Sequence, residues 1–365
     1  MNVVDLLIRL LSAPSITPDD AGLMDFIQNY LPGFEVERID RGGVKNLFMK
    51  KRFGDGEHLC FAGHIDVVPP GDGWSWDPFV PRIEDGYIYA RGAQDMKSGV
   101  ASFLEAVARC ESFPGTLSIL ITSDEEGEAK YGTKIVLEEL DRRGELPDYA
   151  IVAEPTCEER FGDAVKIGRR GSINGVITKR GRQGHAAYPE KSHNPIHVVA
   201  QVLPHMAGVD LDEGDEHFSP SKFVITDIRA GMEVTNVTPG LLKMMFNVRN
   251  STHTDAKDVE AFVRRYFDGM DYDLRMSVSA EPFVTDPDTK VVRLLDEAIR
   301  EVCGESPSHS TAGGTSDARF FAKFGIDVIE FGVKNDRIHA PDERVSIDEV
   351  ESLFRVFDTL LKSFR

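Results

Sequence analysis

The sequence predicts an α/β protein in two domains, a discontinuous main domain and a smaller α+β domain inserted into it. Three observations predict this. The first half alternates short apolar strand-like runs with amphipathic helices, the middle changes to the order β-α-β-β-α-β, and the tail returns to the first rhythm. A chain of 365 residues is also long for one core, which agrees with two domains. The insertion is expected over 172–281, dividing the main domain into 1–171 and 282–365.

The elements follow in order. Val3, Val4, Leu6, Leu7, Leu10 and Leu11 recur at helical spacing, with Asp5 and Arg9 between them. This stretch lacks a basic leader region and a small-residue cleavage site, so it reads as the first helix of a cytoplasmic protein. Strand-like runs cover 59–62, 87–90, 117–122 and 149–152. A helix is expected over 96–110, with Val100, Phe103, Leu104 and Val107 on one face, and another over 133–143, stopped by Gly144. In sheets of this kind ligands gather at the carboxyl ends of the strands.

The middle predicts strands at 172–179, 222–229, 241–248 and 274–279. Its helices are expected over 194–206, with Pro195 in the first turn, and 254–267, with Val259, Phe262, Val263 and Tyr266 facing inward. The tail predicts a strand at 327–331 and a last helix striped by Ile347, Val350, Leu353, Phe354, Phe357, Leu360 and Leu361. Ser346 and Glu349 read as the capping box of that helix.

Composition narrows the function. The net charge, 42 − 61 = −19, argues against nucleic acid and anionic membranes as partners. No segment approaches the roughly 20 apolar residues needed to span a bilayer. The four cysteines form no C-x-x-C pair, which argues against disulfides and thiolate zinc sites. An anionic substrate would need a local cluster of arginines and backbone donors.

Candidate chemistry collects after the apolar runs. His64, Asp95, Glu125, Glu126, Glu154 and His339 all occupy strand ends or loops rich in Gly, Asp or Pro. Taken alone, each has a plain reading. His64 fits a buried histidine paired with Asp66, Asp95 fits a helix N-cap, the acids at 124–126 fit a solvated turn, and His339 fits a surface loop. Together they supply imidazoles, carboxylates and one spare carboxylate, which is what a two-metal hydrolytic site requires. Asp66, two residues beyond His64 along a strand, is placed to fix the orientation of its ring.

The motifs extend over nearly the whole chain. They read GHIDVVPPG at 63–71, ARGAQDMKSG at 90–99, TSDEEGEAKYGT at 122–133, EPT at 154–156 and GRRGS at 168–172. They continue as QGHAAYP at 183–189, TNVTPG at 235–240, FNVRNST at 246–252, GGTSDARF at 313–320 and IHAPDE at 338–343. This series resembles the M20-type metallopeptidase and deacylase family.

The resemblance implies a zinc-peptidase-like catalytic domain and an inserted ferredoxin-like domain serving as lid and homodimer interface. It implies two zinc ions, with cobalt or manganese able to substitute. Asp95 would bridge them, His64 and Glu154 would complete one site, and Glu126 and His339 the other. Asp66 would orient His64, Glu125 would be the general acid and base, and His185 would steady the oxyanion in the neighbouring subunit's site. Arg169, Ser172, Asn236, Arg249, Gly314, Thr315 and Asn335 would contact the carboxylates and amide of a small anionic substrate. GRRGS, TNVTPG and GGTSD favour a branch acting on a doubly acidic amide over the sister acetylornithine deacetylases, aminoacylases and dipeptidases. The intact Glu125 argues against a non-catalytic relative, and no G-x-G-x-x-G follows the first strand to support a dinucleotide site. The stretch Glu128–Tyr131 has no assigned role.

Overall fold

The apolar runs of the first half assemble into one eight-stranded sheet in the computed structural model, which describes residues 1–364. Its strands lie in the order Glu35–Arg38, Asn46–Arg52, Thr116–Thr122, His58–His64, Tyr149–Val152, Asp327–Glu330, Ala164–Lys166 and Ser308–Ser310. The four central strands, Thr116–Thr122 to Asp327–Glu330, are parallel. Nearly every residue in them is buried, as expected for a sheet covered on both faces. Helices Ser98–Ala108, Ile347–Ser363 and Lys290–Cys303 pack in succession beside it. Phe61 of the sheet stacks on Phe103 and meets Phe357 edge-on, joining strand to both neighbouring helices.

The parallel register brings strand ends together. His64 lies beside Thr122, and Ala62 beside Val152. Residues just beyond these positions therefore emerge from one edge of the sheet.

Four expectations need correction. The run at 87–90 is not a strand of the main sheet. Tyr87–Tyr89 forms a separate three-stranded sheet with Arg82–Glu84 and Arg344–Ser346, pairing with the tail across more than 250 residues of sequence. The helix expected from 96 begins at Ser98, after a π-type turn over Ala93–Lys97 in which Asp95 and Met96 leave helical geometry. Asp95 is therefore not its N-cap. Ser346 makes no side-chain cap, because Glu349 instead accepts from the Lys334 amide at 3.2 Å. The helix expected over 194–206 is α-helical only over Pro195–Val202, with a 3-10 turn at Leu203–His205 where Pro204 has no amide hydrogen to continue it.

The chain divides into two compact units. One comprises Met1–Gly168, Val284–Ser310 and the chain from Ser316 onward, and the other Arg169–Phe283 and Thr311–Thr315. The second unit has an antiparallel sheet ordered Lys222–Ala230, Leu241–Arg249, Ser172–Arg180, Tyr272–Ala280. Alternating burial along Leu241–Arg249 marks one covered and one open face. Helices Pro195–Val202 and Ala256–Phe267 cover the first face, burying Val199, Val259, Val263 and Phe267 against Phe223, Met244 and Phe246. Asp255 and Asp258 form a reciprocal capping box at the start of the second helix. Among the described residues no helix is long and apolar enough to cross a membrane.

Candidate metal and catalytic site

Six sequence-predicted side chains of the first unit converge. His64 closes its strand, Glu125 and Glu126 lie three and four residues after the end of Thr116–Thr122, and Glu154 lies two residues after Tyr149–Val152. Asp95 and His339 arrive from loops beside the small three-stranded sheet. Gly99 permits the close approach of the Asp95 segment, since a Cβ there would meet the Ala153 carbonyl oxygen at 2.1 Å.

Each oxygen of Asp95 faces a different imidazole. Oδ1 lies 3.1 Å from His64 Nε2, and Oδ2 lies 3.4 Å from His339 Nε2. Glu154 and Glu125 stand 3.7 and 3.9 Å from His64 Nε2, while Glu126 Oε1 lies 2.9 Å from His339 Nε2. Ligand-type atoms of His64, Asp95 and Glu126 fall within 4.8 Å of one another, as do those of His64, Glu125 and Glu154. Both sets could hold a metal ion.

The donor set fits cations. Among the described residues these four carboxylates have only the two histidines as ionic partners, so the cluster carries excess negative charge in a largely buried place. Burial, then the charges of Asp317, Asp95 and Glu126, carry Glu125 well above the usual carboxylate range against the pull of His64. Burial and the charge of Asp95 do the same for Glu154. Burial acts to lower His64, but the Asp95 hydrogen bond and the charges of Glu154 and Glu125 hold it well above the usual imidazole value. His339 is pushed up to about 10 by its hydrogen bonds to Asp95 and Glu126. Oxygen and imidazole donors of this kind suit zinc and similar divalent ions.

Asp66 acts differently from expectation. His64 Nδ1 bonds the Asp66 main-chain carbonyl at 2.8 Å, while the nearer carboxylate oxygen stands 3.6 Å away. The carboxylate faces the amides of Glu125 and Glu126, at 3.4 and 3.2 Å, and so restrains the acidic turn. The neighbouring Asp124 accepts from the amides of Lys130 and Tyr131 at 2.8 and 2.9 Å, which closes the Glu128–Tyr131 stretch into a loop. Asn46 donates to the Tyr131 carbonyl at 2.7 Å and fixes the loop's far end.

Sequence reasoning passed over Asp317, Arg91, Gln94 and Glu343, all buried. Asp317 accepts from the Thr133 hydroxyl at 2.6 Å and is among the charges that raise Glu125. Each of these residues lies inside a motif already singled out, but nothing local distinguished it.

Among the remaining candidates, Asn335 is an exposed residue of the first unit, and its main-chain N–H donates to the Cys157 carbonyl. The others belong to the second unit. There Gly184–His185 pairs with Val237–Thr238, and the Ala186 amide donates to the Asn236 carbonyl, so His185 and Asn236 share one ribbon. His185 Nδ1 accepts from the Ala187 amide at 3.1 Å, which leaves Nε2 as the donor on an exposed ring. Arg169 is buried and donates to the carbonyls of Ala312 and Gly314 at 3.3 and 3.4 Å, bracing the segment that carries Thr315. Ser172 Oγ accepts from Asn247 at 3.1 Å. Burial and the neighbouring charge of Arg170 lower the Arg249 pKa.

Comparison with known proteins identifies the family. The chain matches the peptidase family M20/M25/M40 over residues 60–363. It is 70% identical over 364 residues, covering 100% of both chains, to a succinyl-diaminopimelate desuccinylase of a Nitratiruptor species. A succinyl-diaminopimelate desuccinylase of a Sulfurovum species is 68% identical, over 100% of this chain and 99% of the relative. The fold matches the crystal structure of an M20 family metallo-carboxypeptidase, Sso-CP2 from Sulfolobus solfataricus, with a TM-score of 0.81 at 18% identity, over 100% of this chain and 99% of that one. With the family matched over most of its length and close relatives end to end, the chain belongs to the peptidase family M20/M25/M40.

Proposed function

We propose that the chain is a dinuclear-zinc amidohydrolase that cleaves N-succinyl-LL-2,6-diaminopimelate into succinate and LL-2,6-diaminopimelate. The observation that carries this reading is Asp95, whose two oxygens face two separate imidazoles within a cluster of acids. The full-length relatives named for this reaction support the choice of substrate. His64 and Glu154 would hold one ion, Glu126 and His339 the other, and Asp95 both. Bound there, zinc would acidify a water molecule and polarise the amide carbonyl, and cobalt or manganese could substitute.

The chain's own groups do the rest. Glu125, whose carboxylate stands 3.9 Å from His64 Nε2, takes a proton from the attacking water and returns it to the departing amine. The amide C–N bond breaks, leaving succinate and a free amino group. Asp66 keeps Glu125 and Glu126 in their turn through the main chain. His185, its Nε2 free to donate, steadies the oxyanion of the tetrahedral intermediate in the neighbouring subunit's site. Arg169, Ser172, Asn236, Arg249, Gly314, Thr315 and Asn335 would each contact the doubly acidic substrate. Arg249, with no ionic partner among the described residues, has the chemistry for bidentate carboxylate recognition.

The second unit, as the inserted lid, is also the proposed homodimer surface. Its outer strand Lys222–Ala230 is a sheet edge exposing Val224 and Ile228. The enzyme works in the cytoplasm, a setting supported by four free cysteines. The test is turnover of N-succinyl-LL-2,6-diaminopimelate beside N-acetylornithine by metal-stripped and zinc-restored protein. Zinc-dependent release of succinate with little action on acetylornithine is expected. Preference for acetylornithine would overturn the substrate while keeping the metal chemistry.

A further inference from the structure

Asp95 sits in a turn that its own helix does not cap, and Glu343 supplies the missing acceptor. Glu343 is fully buried. Its Oε1 accepts from the amides of Gln94 and Asp95 at 2.8 and 3.2 Å. Its Oε2 accepts from the Gly92 amide at 3.1 Å and from Arg91 Nη1 at 2.7 Å. One carboxylate thus gathers three amides of a single turn and a guanidinium, with all four bonds charge-assisted.

Arg91 extends the same network. Also buried, it donates from Nη2 to the carbonyls of Pro70 and His339 at 3.2 and 3.3 Å, and from Nη1 to that of Ala340 at 3.4 Å. The Gln94 side chain donates to Asp336 and accepts from the Arg337 amide at 2.8 Å. Three loops are therefore tied at one point: the one following His64 and Asp66, the one bearing Asp95, and the one bearing His339. His339 itself has a left-handed backbone, φ 60°, a conformation that needs outside support in a residue other than glycine. None of the three side chains supplies an atom to the acid and imidazole cluster. Their contacts to it run through the main chain.

We propose that Glu343, with Arg91 and Gln94, is a positioning cluster that sets the separation of Asp95 and His339 before any ion binds, so that metal affinity depends on it. The proposal rests on the metal reading given above. Groups that orient metal ligands from outside the coordination shell typically contribute about 10- to 100-fold to affinity or rate.

The test is zinc titration of the metal-free chain against a chromophoric chelator, for wild type, Glu343→Gln and Gln94→Met, with circular dichroism to establish folding. Glu343→Gln replaces one acceptor oxygen by an amide group that faces donors. It is expected to bind zinc about 10- to 100-fold more weakly and to lose kcat in parallel, with KM little changed. Gln94→Met leaves the Arg91–Glu343 pair intact and cuts only the link to Asp336 and Arg337, so one of two zinc equivalents should weaken. A folded Glu343→Gln with wild-type zinc affinity would overturn the proposal. If Glu343→Gln does not fold, Gln94→Met decides, and unchanged zinc binding there overturns it equally. Wild-type protein that takes up no zinc would remove the metal reading as well, which separates that failure from failure of the positioning role alone.

Discussion

The acidic cluster of the first unit and the candidate substrate residues of the second are held in different ways. Asp95, Glu125, Glu126 and Glu154 expose only 9–14% of their side chains and stand on strand ends and turns braced by buried carboxylates. Of the second unit's candidates, His185, Asn236 and Gly314 are exposed, on a two-residue ribbon and a short returning segment, while Arg169 and Ser172 are buried. Charged groups crowded out of water need fixed partners, because each uncompensated one is costly. Groups that meet a soluble substrate have no such demand. Under the proposed function, chemistry rests mainly on the first unit and recognition mainly on the second. Damage to the first should appear in kcat and metal content, and damage to the second mainly in KM.

Chelation should have the largest effect. Removing metal is expected to abolish succinate release, and added zinc to restore it. Residual full activity in metal-free protein would break the comparison at its root. Glu125→Gln comes next. It should retain zinc by elemental analysis yet lose on the order of 10²–10⁴ in kcat, the usual worth of a positioned acid and base. His185→Ala sharpens the comparison, because it places one chemical role on the second unit. A fall of about 10²–10³ in kcat is expected for an oxyanion donor, and wild-type rates would make it a turn residue. Arg249→Ala should raise KM about 10- to 100-fold, the loss of a charge-assisted bond, with kcat and zinc content nearly unchanged.

The smallest effect on turnover is expected at Asp212. It accepts from the Ser221 amide and from the hydroxyls of Ser251 and Thr254, at 3.1, 2.8 and 2.6 Å. Burial acts to raise its pKa, but these bonds hold it well below the usual carboxylate value. A carboxyl group lowered in the folded state stabilises fully above its unfolded value near 4 and loses that contribution as pH falls through the folded one. Asp212→Ala should therefore cost about 1 kcal/mol by denaturant titration at neutral pH, because solvent screens a partly exposed group, with less lost in strong acid and zinc affinity intact.

Much of this architecture was legible in the sequence. The central parallel strands announce themselves as apolar runs, and the acids and His64 follow them directly. The origin of Asp95 and His339 was not legible, because Tyr87–Tyr89 pairs with Arg344–Ser346 and no local pattern encodes so distant a partner. The expected capping box failed for a similar reason. Its spacing was right, but Glu349 found the Lys334 amide in the folded chain. The helix Lys290–Cys303, with Val291, Val292, Leu295, Ala298 and Ile299 buried, had a readable apolar stripe that was passed over. Glu343, within IHAPDE, has no role legible in the sequence, since an acid that serves main-chain amides leaves no signature in residue type alone.

The most direct test of the central claim is anomalous diffraction at the zinc edge from zinc-loaded crystals. Two peaks are expected, one beside His64 and Glu154, the other beside Glu126 and His339, with Asp95 between them. Zinc bound elsewhere, with no peak inside this cluster, would contradict the account.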